Sequence, residues 1–542
     1  MAVSRQDLVS TRATTRRLTR RRVLQQGGTG LAAALAAGQT RARAQQATPA
    51  GESNATPVGS DDALLADLSR FDADVEAAME TFDMVGAAVA LVDLSGIRYQ
   101  RSFGVRDLIS RAPVTPDTHF FVASTTKSMS SLLVATFVDD GVFAWDQPVR
   151  EVWPDFQAPT AELTDTLRVR DLLGMASGIG EPPAVSSFHE GDPTAGELLR
   201  SIATLPVIAP PHKTFFYNNT VYAGGGYLPA LAQGTADDAL ETVYAQLMHE
   251  RVFRPAGMAH TYLTDDPRPF VTNYATGHAF DLTGGTAALP NAPVGAYAPV
   301  GGVMANLTDM ASYITMQLNA GLGSGGERVV SSANLAACWE PHIDVPMSPA
   351  IDPDLAHAGY GMGWISQTYQ DGRRLVWHNG GIDGFSTLIG FCPEENLGLV
   401  VLSNMGPLPR GLFFTSYVLN RLLTLRFGLN AGSDAAIIAQ YRDMAQQLHD
   451  LAAQARPVSP DVVLPYLGFY EKGWRVALAG DGTVRLHQGS RAIPLLALAS
   501  GDYVMATGQM PGTIVRFSQD ESGLRWLEIQ DIETVRWSNG PS

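Results

Sequence analysis

A serine and a lysine three residues apart form the clearest chemical pair in this sequence. Ser124-Thr125-Thr126-Lys127 opens a stretch whose apolar residues recur at helical spacing, so the hydroxyl and the amine would lie on one helix face, one turn apart. The chain has only three lysines, which makes this spacing rare by chance. A serine hydroxyl is a weak nucleophile that needs a neighbouring base, and a deprotonated lysine can serve as one. The pattern therefore predicts Ser124 as the nucleophile and Lys127 as its activator.

Other common catalytic patterns are absent from the sequence. No G-x-S-x-G stretch occurs, which weakens an α/β-hydrolase interpretation, and none of the eleven histidines pair at the spacing of helical zinc ligands. Residues 321–326 match G-x-G-x-x-G, but they follow a predicted helix instead of a strand, so we interpret them as a surface loop and not as a dinucleotide site. We expect neither a metal nor an organic cofactor.

Two further short motifs follow the serine and lysine pair along the chain. They are Tyr217-Asn218-Asn219 and His378-Asn379-Gly380. With motifs of the form S-x-x-K, Y-x-N and H-x-G in this order, the chain resembles the superfamily of serine β-lactamases and penicillin-binding proteins, in its class C and D-alanyl-D-alanine-carboxypeptidase-like branch. The resemblance covers residues 62–430. It implies an α/β (α+β) fold in which helices flank an antiparallel sheet beside an all-helical lobe.

The resemblance also implies a role for each site residue. Ser124 would carry the acyl group, Lys127 would activate it, and Tyr217 would pass a proton to the leaving group or from the deacylating water. Asn219 would bind a substrate amide. The backbone N–H groups of Ser124 and Gly381 would form an oxyanion hole, which stabilises the negative charge that develops on attack. This set describes hydrolysis through an acyl-enzyme.

The third motif departs from that of classical β-lactamases, which have a lysine where this chain has His378. A lysine binds a substrate carboxylate with a full charge, whereas a histidine near neutral pH is only partly protonated. Gly380 and Gly381 let a ligand approach the backbone closely, which favours substrate binding by this segment. We therefore predict a D-amino-acid peptidase, carboxypeptidase or esterase in preference to an efficient β-lactamase. A buried structural histidine, and a catalytically silent sensor or binding protein, are the alternatives.

The elements that would hold these residues follow from the spacing of apolar side chains. Predicted strands lie at both ends of the hydrolase region and would form one antiparallel sheet; they span residues 86–93, 97–105, 374–377, 386–391 and 397–403. The predicted helices span residues 124–140 and 307–319. The sequence therefore predicts that the Ser124 motif begins a buried helix and that the His378 motif follows a strand.

A change of pattern after residue 430 indicates a second domain. Residues 431–460 form a predicted helical connector, with an amphipathic helix over 435–455, and residues 461–542 hold short runs typical of a small barrel or meander. These runs span residues 474–478, 483–487, 503–506, 513–517, 524–529 and 534–537. The opening at 466–470 resembles the start of the lipocalin-like domains attached to some relatives. We expect this domain to modulate access to the site, or else to be a stabilising appendage.

The N-terminal residues have the order of an export signal. Residues 1–44 contain nine arginines and one acid, followed by a short apolar run and a small-residue cleavage site, and the paired arginines resemble a twin-arginine signal. Residues 45–61 form a predicted flexible linker. The remainder has 29 basic and 53 acidic residues, which argues against nucleic-acid or membrane-surface binding. We expect a periplasmic or extracellular protein that acts on a small molecule or peptide.

Cys338 and Cys392 are the only two cysteines in the chain. Outside the cytoplasm they could form one disulfide. Both stand in apolar stretches, however, which favours two small buried thiols in the core. The two alternatives stay open at the level of sequence.

Overall fold

The computed structural model describes residues 61–182, 192–291 and 293–538. The predicted export signal over 1–44 and the predicted linker, apart from its last residue, lie outside the described residues. The first described element is a helix that starts at Asp61. In the part of the chain that is described, no helix has both the length and the apolar character needed to cross a membrane.

Two regions of the chain build the central antiparallel sheet. The strands of the hydrolase region are β1 (Gly86–Asp93), β2 (Gly96–Gly104), β3 (Phe120–Phe121), β4 (Tyr262–Leu263), β5 (His278–Asp281), β6 (Gly285–Ala288), β7 (Val303–Ala305), β8 (Ile343–Asp344), β9 (Leu355–Tyr360), β10 (Ile365–Tyr369), β11 (Arg374–Ile382), β12 (Phe385–Cys392) and β13 (Leu397–Ser403). Eight of them form one sheet in the order β2-β1-β13-β12-β11-β10-β9-β8. The predicted sheet from both ends of the region is confirmed. Strand β1 is buried on both faces because it pairs with β2 and β13 inside this sheet.

One strand is longer than its predicted span. The sequence predicts a strand over residues 374–377, whereas β11 continues to Ile382 and includes His378, Gly380 and Gly381. Glycines weaken a strand pattern because they bring no side chain to pack, so their strand conformation is decided by the partner. Residues 376–382 pair with β12 over residues 385–391, which keeps the third motif extended.

The α-helices divide between the two faces of the sheet and a separate lobe. They are α1 (Asp61–Thr81), α2 (Thr126–Asp139), α3 (Val149–Val152), α4 (Ala161–Thr166), α5 (Val169–Leu173), α6 (Ala195–Ser201), α7 (Asn219–Leu231), α8 (Leu240–Met248), α9 (Arg254–Ala256), α10 (Ala298–Gly301), α11 (Leu307–Leu318), α12 (Ser332–Trp339), α13 (Leu412–Phe427), α14 (Ser433–Gln454) and α15 (Pro460–Val463). Helix α11 packs on β1 and β13, and α13 packs on α1 and β12. Helix α2 packs against α7, α10 and α12, so it lies between the lobe and the sheet.

The C-terminal region forms a closed barrel. Its strands are β14 (Arg456–Pro457), β15 (Gly468–Tyr470), β16 (Trp474–Leu478), β17 (Val484–Gln488), β18 (Arg491–Ala497), β19 (Tyr503–Met505), β20 (Ile514–Gln519), β21 (Arg525–Ile529) and β22 (Glu533–Ser538). Pairing of β15 with β22 and of β18 with β19 closes a ring of β15 to β22. Alternating burial along β16 and β17 fills the interior, as expected for a small barrel. Strand β18 has no predicted counterpart because Pro494 and an unbroken apolar run hide its alternation.

The barrel packs on the hydrolase region through a small apolar cluster. Phe280 and Leu282 of the β5–β6 hairpin meet Leu448 of α14 and Leu496 and Val504 of the barrel. A backbone hydrogen bond from Leu282 N to Ala506 O, 2.9 Å long, joins the same surfaces. Helix α14, which covers most of the predicted connector, is therefore part of the contact between the two regions.

Both cysteines are free and buried. Cys338 lies on α12 and Cys392 ends β12. Burial raises the pKa of each thiol to about 12, so both stay protonated at neutral pH. The structure favours the two core thiols over the disulfide.

Candidate active site

A strained turn presents Ser124 at the start of helix α2. Ala123, Ser124 and Thr125 form a single 3-10 turn, and Ala123 has φ +51°, a conformation that costs energy for a residue with a side chain. Val122 O accepts hydrogen bonds from Thr125 Oγ1 at 2.8 Å and from Thr387 Oγ1 at 2.7 Å, which hold the turn against β12. Ser124 is half-exposed between buried neighbours. The turn therefore directs this one hydroxyl toward solvent.

Lys127 lies one helical turn further on and is fully buried. Its Nζ donates to Ser124 Oγ at 3.2 Å and to Val300 O at 3.2 Å. Burial holds the pKa of Lys127 well below its usual range, and the negative charge of Glu181 opposes this shift. A lysine with a lowered pKa is partly deprotonated near neutral pH and can accept the proton of Ser124.

Tyr217 lies beside Lys127 and close to His378. Its ring centroid lies 4.7 Å from Lys127 Nζ and 6.3 Å from the ring centroid of His378. Burial raises the pKa of Tyr217 above its ordinary value, and the Ser124 side chain acts in the opposite direction. The phenol is therefore protonated at rest, so it can relay a proton between Ser124 and a leaving group but does not start as a base.

His378 faces this pair from strand β11 and is buried. Its Nε2 lies 3.1 Å from Tyr360 Oη, and its Nδ1 lies 2.5 Å from Asn379 O. Burial lowers the pKa of His378 to about 3, and the charge of Lys127 adds to the effect. The sequence suggested partial protonation near neutral pH, but the buried ring is neutral there. Both ring nitrogens have protein partners, as expected for the alternative of a buried structural histidine. The role of His378 in substrate binding stays a prediction.

Gly380 of the third motif brings strand β11 onto the turn that holds Ser124. A Cβ on Gly380 would lie 2.3 Å from Val122 O, so only glycine permits this approach. Strand β10 pairs with β11 only as far as Trp377, so residues 378–382 have a strand partner on the β12 side alone. Gly381 follows directly and is half-exposed, and its part in the oxyanion hole stays a prediction.

The two asparagines of the second motif have different positions. Asn218 caps α7 by accepting from Val221 N at 2.8 Å, and its Nδ2 donates to Ile179 O and Gly180 O at 3.1 Å each. Asn219 is half-exposed in the first turn of α7, two residues after Tyr217 in the chain. Asn218 is thus a structural residue, and the substrate contact of Asn219 stays a prediction.

A buried carboxylate, Glu181, completes the site and was not predicted. It is 4% exposed and accepts hydrogen bonds from Asn219 N at 3.2 Å, Thr220 N at 2.7 Å and Thr220 Oγ1 at 2.7 Å. Its charge acts on both Lys127 and Tyr217. No motif marks this residue in the sequence, and the available signal was an acidic residue between glycine and proline in an apolar stretch. We call Ser124, Lys127, Glu181, Tyr217 and His378 the catalytic cluster.

A family comparison agrees with this geometry. The model of the family described as Beta-lactamase matches residues 71–417 of the chain. The chain belongs to the β-lactamase family. The match includes all three motifs of the catalytic cluster, so the protein is a serine hydrolase of this family. Among the described residues, no group of histidine, cysteine or acidic side chains is arranged to hold a metal ion.

Similar proteins include hydrolases and penicillin-binding proteins. The chain is 25% identical over 461 residues to an unguisins hydrolase of Aspergillus violaceofuscus, covering 81% of this chain and 78% of that protein. It is 27% identical to an unguisins hydrolase of Aspergillus campestris, with 61% of this chain and 60% of that protein covered, so it spans under two thirds of this relative. Penicillin-binding protein 4 of Amycolatopsis lactamdurans is 27% identical, with 62% of this chain and 84% of that protein covered.

Solved structures show the same fold at lower identity. The octameric penicillin-binding protein homologue from Pyrococcus abyssi superposes with a TM-score of 0.57 at 21% identity, covering 86% of this chain and 100% of that one. SurE with D-Leu superposes with a TM-score of 0.51 at 21% identity, covering 87% of this chain and 100% of that one. These similarities support the assignment of the hydrolase fold.

Proposed function

We propose that the protein is an exported hydrolase that cleaves a peptide, amide or ester through a covalent acyl-enzyme on Ser124. The observation that carries this proposal is the 3.2 Å hydrogen bond from a fully buried Lys127 to the Ser124 hydroxyl. Burial lowers the pKa of that amine, which supplies the base that a serine nucleophile requires.

The proposed reaction uses the groups of the catalytic cluster in turn. As Ser124 Oγ bonds to the substrate carbonyl carbon, its proton passes to Lys127 Nζ and the carbonyl electron pair moves onto oxygen. The backbone N–H groups of Ser124 and Gly381 stabilise that oxyanion. Tyr217 relays the proton to the departing nitrogen or oxygen. A water molecule then attacks the ester on Ser124, giving up its proton through the same residues, and releases the acid.

The neutral charge of His378 bears on the substrate class. A neutral imidazole gives the site no fixed cation for a free carboxylate, in contrast to the lysine of classical β-lactamases. Internal peptide bonds and simple esters need no such cation. The name of one similar protein, an unguisins hydrolase, supports hydrolysis, and a similar structure that contains D-Leu supports recognition of a D-amino acid. We therefore propose peptides that contain D-amino acids, or esters, ahead of β-lactams.

Export is the second part of the proposal. The arginine-rich N-terminus, its apolar run and the small residues near position 44 support secretion to the periplasm or beyond. Replacing the adjacent Arg21 and Arg22 with lysine should leave the precursor in the cytoplasm, while the wild-type chain should be recovered outside it, shortened near residue 44. Wild-type protein found uncleaved in the cytoplasm would contradict export.

A substrate screen tests the catalytic proposal. Purified protein should hydrolyse short p-nitrophenyl esters or D-alanyl peptides faster than nitrocefin, and His378→Lys should raise kcat/KM for carboxylate-bearing substrates relative to simple esters. An unchanged ratio would contradict the role of charge at position 378. Persistent labelling of Ser124 without turnover of any substrate would instead favour the catalytically silent sensor.

A further inference from the structure

The loop before helix α7 places a buried carboxylate where the proposed mechanism creates a positive charge. Glu181 lies in the loop that follows α5 and reaches the first turn of α7, 39 residues later in the chain, through bonds to Thr220 N and Thr220 Oγ1. A third bond comes from Asn219 N. Burial raises the pKa of Glu181, and these three hydrogen bonds, together with the charge of Lys127, act against that shift and favour the ionised carboxylate.

Two residues hold the start of helix α7. Asn218 caps it through Val221 N. Glu181 uses both carboxylate oxygens: Oε1 accepts from Thr220 N and Thr220 Oγ1, and Oε2 accepts from Asn219 N. A glutamine has one acceptor oxygen for these three donors, so the carboxylate suits this turn better than the amide does.

The negative charge of Glu181 raises the pKa of Lys127, against the effect of burial. The other titratable groups around the amine are Tyr217, Tyr222 of α7 and His378 of β11, all of which are uncharged near neutral pH. Burial disfavours the protonated amine, so a nearby negative charge is needed when Lys127 takes up a proton during attack. Glu181 supplies that charge from the loop that is bonded to the first turn of α7, just after Tyr217 in the chain.

We propose that Glu181 is a positioning residue for acyl transfer, which fixes the start of helix α7 beside Tyr217 and balances the charge of Lys127 while it holds the Ser124 proton. The proposal rests on the acyl-enzyme function above. In the step it assists, the Ser124 O–H bond breaks, the Oγ–carbon bond forms and the proton moves to Lys127 Nζ. Glu181 itself gains and loses no proton, and it touches no substrate.

The rate of Ser124 labelling by a small fluorophosphonate, followed by intact mass across pH, tests this role. In the wild type, the labelling rate should fall at acidic pH as Lys127 becomes protonated. We call this falling part of the pH profile the acid limb. Glu181→Gln keeps one acceptor oxygen but removes the charge that raises the pKa of Lys127, so the limb should move to lower pH by about 1 unit. The plateau rate should fall by about 10-fold, because the protonated amine is less stabilised.

Two further variants separate charge from local structure. Glu181→Asp keeps a carboxylate but withdraws it by one methylene, so the limb should move in the same direction by less than in Glu181→Gln. Asn218→Ala loosens the same loop and helix without changing charge, so it should lower the melting temperature and leave the limb in place.

The outcomes also separate this proposal from the proposed function. If Ser124 is labelled but the acid limb moves in neither Glu181 variant, the role of Glu181 alone is overturned. If Glu181→Gln fails to fold, the result for Glu181→Asp decides. Equal labelling of Ser124→Ala and wild type would overturn the acyl-enzyme function itself.

Discussion

The catalytic cluster and the contact between the barrel and the hydrolase region use neighbouring parts of one hairpin in different ways. Just before the turn of the β11–β12 hairpin, Gly380 packs on the turn that holds Ser124. In the turn itself, Asp383 accepts a 3.0 Å hydrogen bond from Arg491 of the barrel. The residue that packs on the nucleophile and the residue that contacts the barrel are therefore separate but close together in the chain.

We call Asp192, Asp383, Ser490 and Arg491 the barrel junction. Ser490 N donates to Asp192 Oδ2 at 2.7 Å, next to the turn where Arg491 begins β18. Asp192 lies on the segment that follows Glu181 in the chain, and Asp383 lies two residues after Gly381. The barrel thus contacts the turn of the hairpin that carries Gly381, and none of the residues in the catalytic cluster comes from the barrel. The expectation that the barrel modulates access to the site stays a prediction, with a stabilising appendage as its alternative.

The largest expected effect comes from Lys127. Lys127→Met keeps most of the side-chain volume but removes the base, so kcat/KM should fall by roughly 10³-fold on every substrate. The exposed Lys213, four residues before Tyr217, is the matched control, and Lys213→Met should leave kcat/KM unchanged. Steady-state kinetics of both variants check this. If Lys127→Met has only a small effect on kcat/KM, the catalytic cluster does not differ from the barrel junction in its importance for the reaction.

An effect of intermediate size concerns stability in acid. Because the folded-state pKa of His378 is about 3 and its ordinary value is 6.5, the unfolded chain binds more protons between these limits. The stabilisation by the neutral ring is complete above 6.5 and is lost as pH falls toward 3. At about pH 5 the loss from this group should be about 2 kcal/mol. His378→Gln cannot protonate, so its unfolding free energy should fall less between pH 7 and 5.

A second histidine provides the comparison outside the cluster. Burial lowers the pKa of His342 to about 4, so His342→Gln should flatten the pH dependence between pH 7 and 5 by a similar amount, and by less than His378→Gln below about pH 4. Urea unfolding at a series of pH values measures both variants. If neither variant changes how the unfolding free energy depends on pH, both histidines are protonated in the folded state and the assignment of a neutral His378 is wrong.

The smallest expected effect comes from the barrel junction. Arg491→Met should change kcat/KM for larger peptides by about 3- to 10-fold, because the hairpin tip loses its partner, while fluorophosphonate labelling stays within about twofold. Asp383→Asn should give a similar change, and the double variant should add little to either. Arg485→Met, on an exposed barrel arginine paired with Asp481, is the control. Equal losses on small and large substrates would show that the junction acts on chemistry and not on access.

Sequence spacing was most informative where the contacts are local. Ser124 and Lys127 lie one helical turn apart, so their contact could be inferred directly, and the alternation of apolar residues located β1, β13 and most barrel strands. Contacts between distant segments were not accessible in this way. Glu181 meets Thr220 across 39 residues and Arg491 meets Asp383 across 108, and neither pair has a local pattern. The neutral state of His378 also follows from burial, which its motif does not encode.

Covalent labelling of the nucleophile tests the central claim most directly. The protein is treated with a fluorophosphonate, its intact mass is measured and the modified peptide is mapped. One adduct on Ser124, absent from Ser124→Ala together with hydrolytic activity, is the predicted result. An adduct on a different serine, or full activity in Ser124→Ala, would contradict the acyl-enzyme mechanism.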